Sequence, residues 1–207
     1  MKPFEAILEA KKAVQTGTTT VGVICKEGVI LAADRQATMG YIESRYEKKV
    51  HKISDKMVLT ISGLVGDLQA LIRIMRAEIR LYELKNDKMS VNAAATLLAN
   101  ILHANRYYPY LAMLLLGGYD ENGPAIYSLD PAGGRSSGEK IFATGSGSPV
   151  AMGVLESDYK NDLSIEDAKA LAVKALRAAR ERDIYTGGSG FDIAVVTSSG
   201  LRMFEEK

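Results

Sequence analysis

Cysteine occurs once, at Cys25, and histidine twice, at His51 and His103. One cysteine excludes an internal disulfide framework and fits a reducing compartment. Together with two histidines it supplies too few soft ligands for a structural zinc site, so neither a metal nor a cofactor is expected. Charge of one sign is not in excess either: 26 Lys and Arg stand against 25 Asp and Glu, a formal net charge of +1. That balance argues against a surface built to bind nucleic acid. Long apolar runs are missing as well. The longest, Tyr110 to Leu116, falls far short of the roughly 20 residues a spanning helix needs, so no membrane partner is expected. Residues 1–17 lack the apolar core of a secretory signal, and Glu5 and Glu9 fit a transit peptide badly. These absences together point to a cytoplasmic protein.

What is present is a chain of 207 residues, long enough for one sizeable core and expected to form one domain. Phe4, Ile7, Leu8 and Val14 fall at helical spacing, which predicts a short amphipathic helix near the start. From Thr19 to Lys26 apolar and small residues alternate, a strand, and Val29 to Ala33 follow as its hairpin partner, delivering Asp34 and Arg35 at the end. Lys48 to Ile53 and Met57 to Ser62 read as two more strands. Leu68, Leu71, Ile72, Met75, Ile79 and Tyr82 then recur at helical spacing. A second helix is predicted from an N-cap at Ser90 to a stop at Pro109. Strands are predicted at Tyr110 to Leu116, Ile126 to Leu129 and Ile141 to Thr144. Ser148 is placed to cap the next helix, with Pro149 in its first turn, and Ser164 to cap another that ends near Asp183. Gly187, Gly188 and Gly190 read as a flexible break before a closing hairpin, Phe191 to Thr197 and Leu201 to Phe204. Strands, two helices, strands, two helices, strands cannot be a simple parallel alternation. The economical packing is α+β: a four-layer αββα sandwich, two antiparallel sheets face to face with a helix pair outside each.

The run Gly17, Thr18, Thr19, Thr20, Val21, Gly22 carries a chemical option. A threonine hydroxyl is a poor nucleophile until a base beside it takes its proton. If the bond after Gly17 were cut, Thr18 would gain a free α-amine, whose ordinary pKa of about 7.7 to 8.0 suits that task. Taken alone, the run favours a turn feeding a strand.

With Gly17 to Gly22, the stretches Ala33 to Gly40, Lys48 Lys49 Val50, Ser62 to Asp67, Thr144 to Pro149 and Arg182 Asp183 occur in an order and spacing that resemble the N-terminal nucleophile hydrolases. More narrowly, from Thr18 to about Phe204, the chain is similar to the archaeal type of proteasome β subunit. The resemblance implies that residues 1–17 are a leader removed on maturation and that residues 18–207 are a single peptidase domain. It implies Thr18 as nucleophile, Lys49 as the cation beside it and Asp34 as the carboxylate paired with that cation. Gly63 would offer its amide to the oxyanion, and Ser146 and Asp183 would orient the freed amine. Thr186 stands where the family commonly has serine, which keeps a hydroxyl and adds a methyl. Ala37, Thr38, Ile61 and Val65 match positions at the first specificity pocket, implying cleavage after large hydrophobic residues, with Glu47 nearby. Implied partners are α subunits and other β subunits in stacked seven-membered rings, an ATP-dependent unfoldase and unfolded polypeptides. Three other readings stay open: a bacterial two-ring heat-shock peptidase, a non-catalytic ring subunit, and a cysteine hydrolase using Cys25 with His51 or His103.

Overall fold

The computed structural model describes residues 17–207, so the expected helix near the start lies outside the described residues. Two five-stranded antiparallel sheets form its middle. The first has the order β10-β1-β2-β11-β12 and the second β5-β6-β7-β8-β9. In the first sheet, β1 (Thr19–Cys25) and β2 (Gly28–Asp34) are a hairpin, flanked by β10 (Ile141–Gly145) and by the pair β11 (Phe191–Thr197) and β12 (Gly200–Glu206). The second is a meander of β5 (Val50–Ser54), β6 (Met57–Gly63), β7 (Ala112–Asp120), β8 (Gly123–Leu129) and β9 (Arg135–Ser136). A two-stranded ribbon, β3 (Ala37–Thr38) with β4 (Ile42–Ser44), stands apart from both.

Period-two alternation decides which side chains face which layer. On β2, Ile30 and Ala32 pack toward α3 (Ser148–Asp158) and α4 (Ile165–Arg182), while Val29, Leu31 and Ala33 enter the space between the sheets. On β7, Leu114 and Leu116 pack under α1 (Val65–Glu83) and α2 (Val91–Ala104), while Leu115 points between the sheets. Both central sheets are thus apolar on both faces, and each carries a helix pair outside it. The fold is the four-layer sandwich that the order of elements predicts. No helix of the described residues is long and apolar enough to cross a membrane.

One part of the inter-sheet layer is polar. Thr60 on β6 donates to Thr20 on β1 at 3.2 Å, and Thr20 shares a 2.7 Å hydrogen bond with Thr144 on β10. All three side chains are buried. Buried hydroxyls are tolerated because each finds a partner.

Several boundaries differ from the sequence reading. The helix α2 ends at Ala104, well before Pro109, because Asn105 takes the C-cap and its side-chain amide donates to the Ile101 carbonyl at 2.8 Å. Ser148 is the first residue of α3 and not its cap. The cap is Gly147, where a Cβ would lie 2.1 Å from Thr19 Oγ1. Strand β7 starts at Ala112, opposite Gly63 of β6, and runs on past Gly118, opposite Met57, to Asp120, which pairs with Gly123 of β8. Tyr82, counted on the apolar face of α1, is exposed. Ser90 and Ser164 do cap their helices, accepting from Ala93 N at 3.1 Å and Asp167 N at 3.2 Å.

Candidate active site

Thr18 immediately precedes β1, and the pairing of Thr19 with Gly145 and of Thr20 with Ala33 sets it beside the ends of β10 and β2. Asp34 closes β2 opposite Phe191, and Gly63 closes β6. Strand ends from both sheets meet at this edge of the sandwich, where Thr18, Lys49 and Gly63 line one cavity.

Asp34 is fully buried and accepts five hydrogen bonds. Its Oδ1 receives the Thr18 hydroxyl at 2.9 Å, the Thr19 amide at 2.9 Å and Lys49 Nζ at 2.8 Å. Its Oδ2 receives the amides of Gln36 at 3.0 Å and Gly187 at 2.9 Å. Two backbone amides beyond the sheet thus fix the carboxylate, leaving Oδ1 aimed at Thr18 and Lys49. Lys49 is buried too and also donates to the Gln36 carbonyl at 2.5 Å. Burial pulls its pKa below the ordinary lysine value, against the upward pull of Asp34. The ammonium therefore gives up a proton more readily than a surface lysine does.

The amide side of Thr18 meets a second carboxylate. Thr18 N donates to Ser146 Oγ at 3.1 Å, and Ser146 donates to Asp183 Oδ2 at 2.6 Å. Thr186 donates to the same oxygen at 2.5 Å and lies 2.6 Å from the Thr19 hydroxyl. Each hydroxyl has one proton to give. With Thr186 and Ser146 giving theirs to Asp183, Thr19 must donate to Thr186, so an ordered chain of hydrogen bonds runs from Thr18 N round to Thr19 Oγ1.

A cavity of ≈ 340 Å³ opens beside these groups. Thr18, Lys49 and Gly63 line it together with Ala37, Thr38, Glu47, Ile61 and Val65, every position expected at the pocket. Met39, Glu43, Leu64 and Leu68 line it as well; the sequence does not single them out for the pocket, because the segment of β3 and β4 that holds Met39 and Glu43 carries no periodic signal and the helical spacing marks Leu68 only as a core residue. Gly63 has φ +137 and a Cβ there would lie 1.9 Å from the Leu111 carbonyl oxygen. Glycine is thus required by the neighbouring strand entry, whatever approaches from the cavity. Thr19 and Gly187 were also missed as contributors. The glycine run read as a flexible break is held: Gly187 gives its amide to Asp34 and accepts from Arg35 N at 3.0 Å. Next to Asp34, Arg35 pairs with Asp192 and with Glu205, the latter at 2.7 Å, tying β2 to β11 and β12.

The alternative thiol site does not assemble. Cys25 Sγ donates to the Gly28 carbonyl at 3.2 Å within the β1–β2 hairpin, and burial raises its pKa. His51 contacts the Lys48 carbonyl at 2.9 Å on the other sheet, and His103 the Ala132 carbonyl at 3.1 Å beneath α2.

Comparison with known proteins gives a consistent outcome. The family profile described as Proteasome subunit matches residues 14–196. A protein named Proteasome subunit beta from Methanocaldococcus fervens is 50% identical over 197 residues, covering 94% of this chain and 88% of its own. Proteins of the same name from Methanosarcina mazei and Methanococcus vannielii are each 46% identical. The first pairs with 91% of this chain and 90% of its own, the second with 96% and 92%.

Proposed function

Since the chain belongs to the proteasome subunit family, we propose that it is a catalytic β subunit of the core proteasome, a threonine endopeptidase whose nucleophile is Thr18. The observation that carries this is the hydrogen bond from the Thr18 hydroxyl to Asp34 Oδ1, the oxygen that also holds Lys49. A hydroxyl already delivered to a proton acceptor beside a buried cation is what nucleophilic attack requires.

Maturation comes first. Thr18 Oγ1 attacks the Gly17 carbonyl carbon and passes its proton to Asp34 Oδ1. The C–N bond then breaks as the Thr18 nitrogen takes up a proton, leaving an ester between Gly17 and Thr18 Oγ1. Water hydrolyses that ester, returning the hydroxyl and freeing residues 1–17 with a new carboxylate. The amine so formed stays on Ser146, backed by Asp183 and Thr186. In each later cycle it takes the Thr18 proton during attack on a substrate carbonyl and returns it to the leaving amine. The resulting ester with Thr18 is hydrolysed by water. Gly63 supplies an amide to the oxyanion, and Lys49 favours the developing charge on Oγ1.

The cavity beside Thr18 is lined by Ala37, Met39, Ile61, Leu64, Val65 and Leu68. That apolar lining supports cleavage after large hydrophobic residues. The subunit works in stacked seven-membered rings with other β subunits and with α subunits, fed unfolded polypeptide by an ATP-dependent unfoldase in the cytoplasm. Intact mass before and after mixing with α subunits tests the proposal: the assembled form loses the mass of residues 1–17. An electrophilic inhibitor is expected to modify Thr18, and modification at another side chain would overturn the assignment.

A further inference from the structure

Gly17 abuts the loop that follows α4. A Cβ built on Gly17 would lie 2.1 Å from Tyr185 Cβ, 2.6 Å from Tyr185 Cγ and 2.7 Å from Ser146 Oγ. Carbon atoms in good contact sit about 3.5 to 4.0 Å apart, so any residue larger than glycine requires position 17 or this loop to move by more than an ångström. The loop is not free to do so. On one side of Tyr185, Asp183 accepts from Ser146, from Thr186 and from the Tyr185 amide at 3.3 Å. On the other, Gly187 is fixed to Asp34 and to Arg35. Ser146 is equally constrained, because its oxygen receives Thr18 N and its proton goes to Asp183. Displacing Tyr185 would therefore disturb the groups that hold both ends of Thr18.

We propose that Tyr185 restricts the residue before the cleaved bond to glycine, making it a specificity-determining residue for removal of the leader. The inference rests on reading Gly17–Thr18 as the bond that is cut. It differs from the general expectation that glycine merely leaves a carbonyl open to attack, since that effect is indifferent to the residue at 185. The geometry also sets which substitution relieves the clash. The nearest atom is the Tyr185 Cβ and not its ring, so alanine at 185 keeps the obstruction and only glycine removes it.

Leader loss followed by intact mass in the assembled particle tests this. Gly17→Ala is expected to slow cleavage about a hundredfold or more. Adding Tyr185→Gly should recover about tenfold or more of that loss, the remainder reflecting Ser146 Oγ, whereas adding Tyr185→Ala should recover none. A Gly17→Ala, Tyr185→Gly chain as slow as Gly17→Ala alone, or a Gly17→Ala chain that cleaves like wild type, overturns the proposal. A wild-type chain that keeps its leader instead refutes the underlying cleavage reading. A second measurement needs no cleavage. In a Thr18→Ala background, Gly17→Ala should lower the melting temperature by about 5 °C, and most of that drop should vanish when Tyr185→Gly is present. Strict additivity of the two substitutions there overturns the proposal even if Tyr185→Gly by itself impairs processing.

Discussion

Thr18 donates its hydroxyl to Asp34 across 2.9 Å, and a carboxylate receiving four further donors cannot swing away from it. The first prediction follows from that contact. Thr18→Ala should leave residues 1–17 attached and abolish peptidase activity, whereas Asp34→Asn should slow leader removal by about 10² to 10⁴. A time course of intact mass measures both. Asp34→Asn also strands the Lys49 charge in the interior, so chemical denaturation should report a loss of about 3 to 5 kcal/mol.

Lys49 gives a pH dependence with a definite sign. Its folded pKa lies below its unfolded value because burial outweighs Asp34. Below the folded pKa both states are protonated and the cost of burying the cation is fully present. Between the folded value and the unfolded one of about 10.4, the unfolded chain binds a proton that the folded chain has released, so stability from this group rises with pH. The stability of the Thr18→Ala chain minus that of the same chain with Lys49→Met should therefore shift in favour of lysine as pH climbs through that window. Denaturant titrations at several alkaline pH values check this, and an unchanged difference would contradict it.

Thr186 holds Asp183 and Thr19 with one hydroxyl, at 2.5 and 2.6 Å. Thr186→Ser keeps both contacts and should change leader removal less than about twofold. Thr186→Val keeps the shape, leaves Thr19 and Asp183 short of a partner, and should cost about 1 to 3 kcal/mol in stability. It should also slow processing roughly tenfold. Melting curves and the mass assay together separate the two variants.

The lining of the cavity predicts substrate choice. Fluorogenic peptides ending in tyrosine or leucine should be cut faster than those ending in arginine or glutamate. Ala37→Phe fills the space beside Ile61 and Val65 and should raise KM for the tyrosine substrate about tenfold or more. Glu43 and Glu47 are the acidic lining residues, so residual cleavage after arginine should fall in Glu47→Gln. Steady-state kinetics on the four peptides decide the matter.

Much of this was legible in the sequence, for identifiable reasons. Alternation in β1 and β2 and the apolar spacing of Leu68, Leu71, Ile72, Met75 and Ile79 encode faces directly, so the layers follow. Ser90 and Ser164 announce their helices because a cap is a local event. The end of α2 was misplaced because Asn105 stops the helix by a side-chain hydrogen bond, where Pro109 drew attention. The short strands β3, β4 and β9 are too brief for a period to register. Long-range bonds were hidden for a different reason: Thr19 to Thr186 and Asp34 to Gly187 span 167 and 153 residues, and nothing near either partner signals the other. Gly63 was read for what approaches it from outside, while the tighter constraint comes from Leu111 behind it.

The hydroxyl cluster of Thr20, Thr60 and Thr144 bears on how the two halves of the sandwich can move. Aliphatic contacts such as those of Leu31 are non-directional, whereas a hydrogen bond weakens steeply when its angle changes. Thr20 is two residues from Thr18, so the hydrogen bond from Thr60 on the facing sheet resists shear between the sheets close to Thr18. The polar tie between β1 and β6 thus sits at the end of the sandwich where Thr18, Asp34 and Lys49 meet.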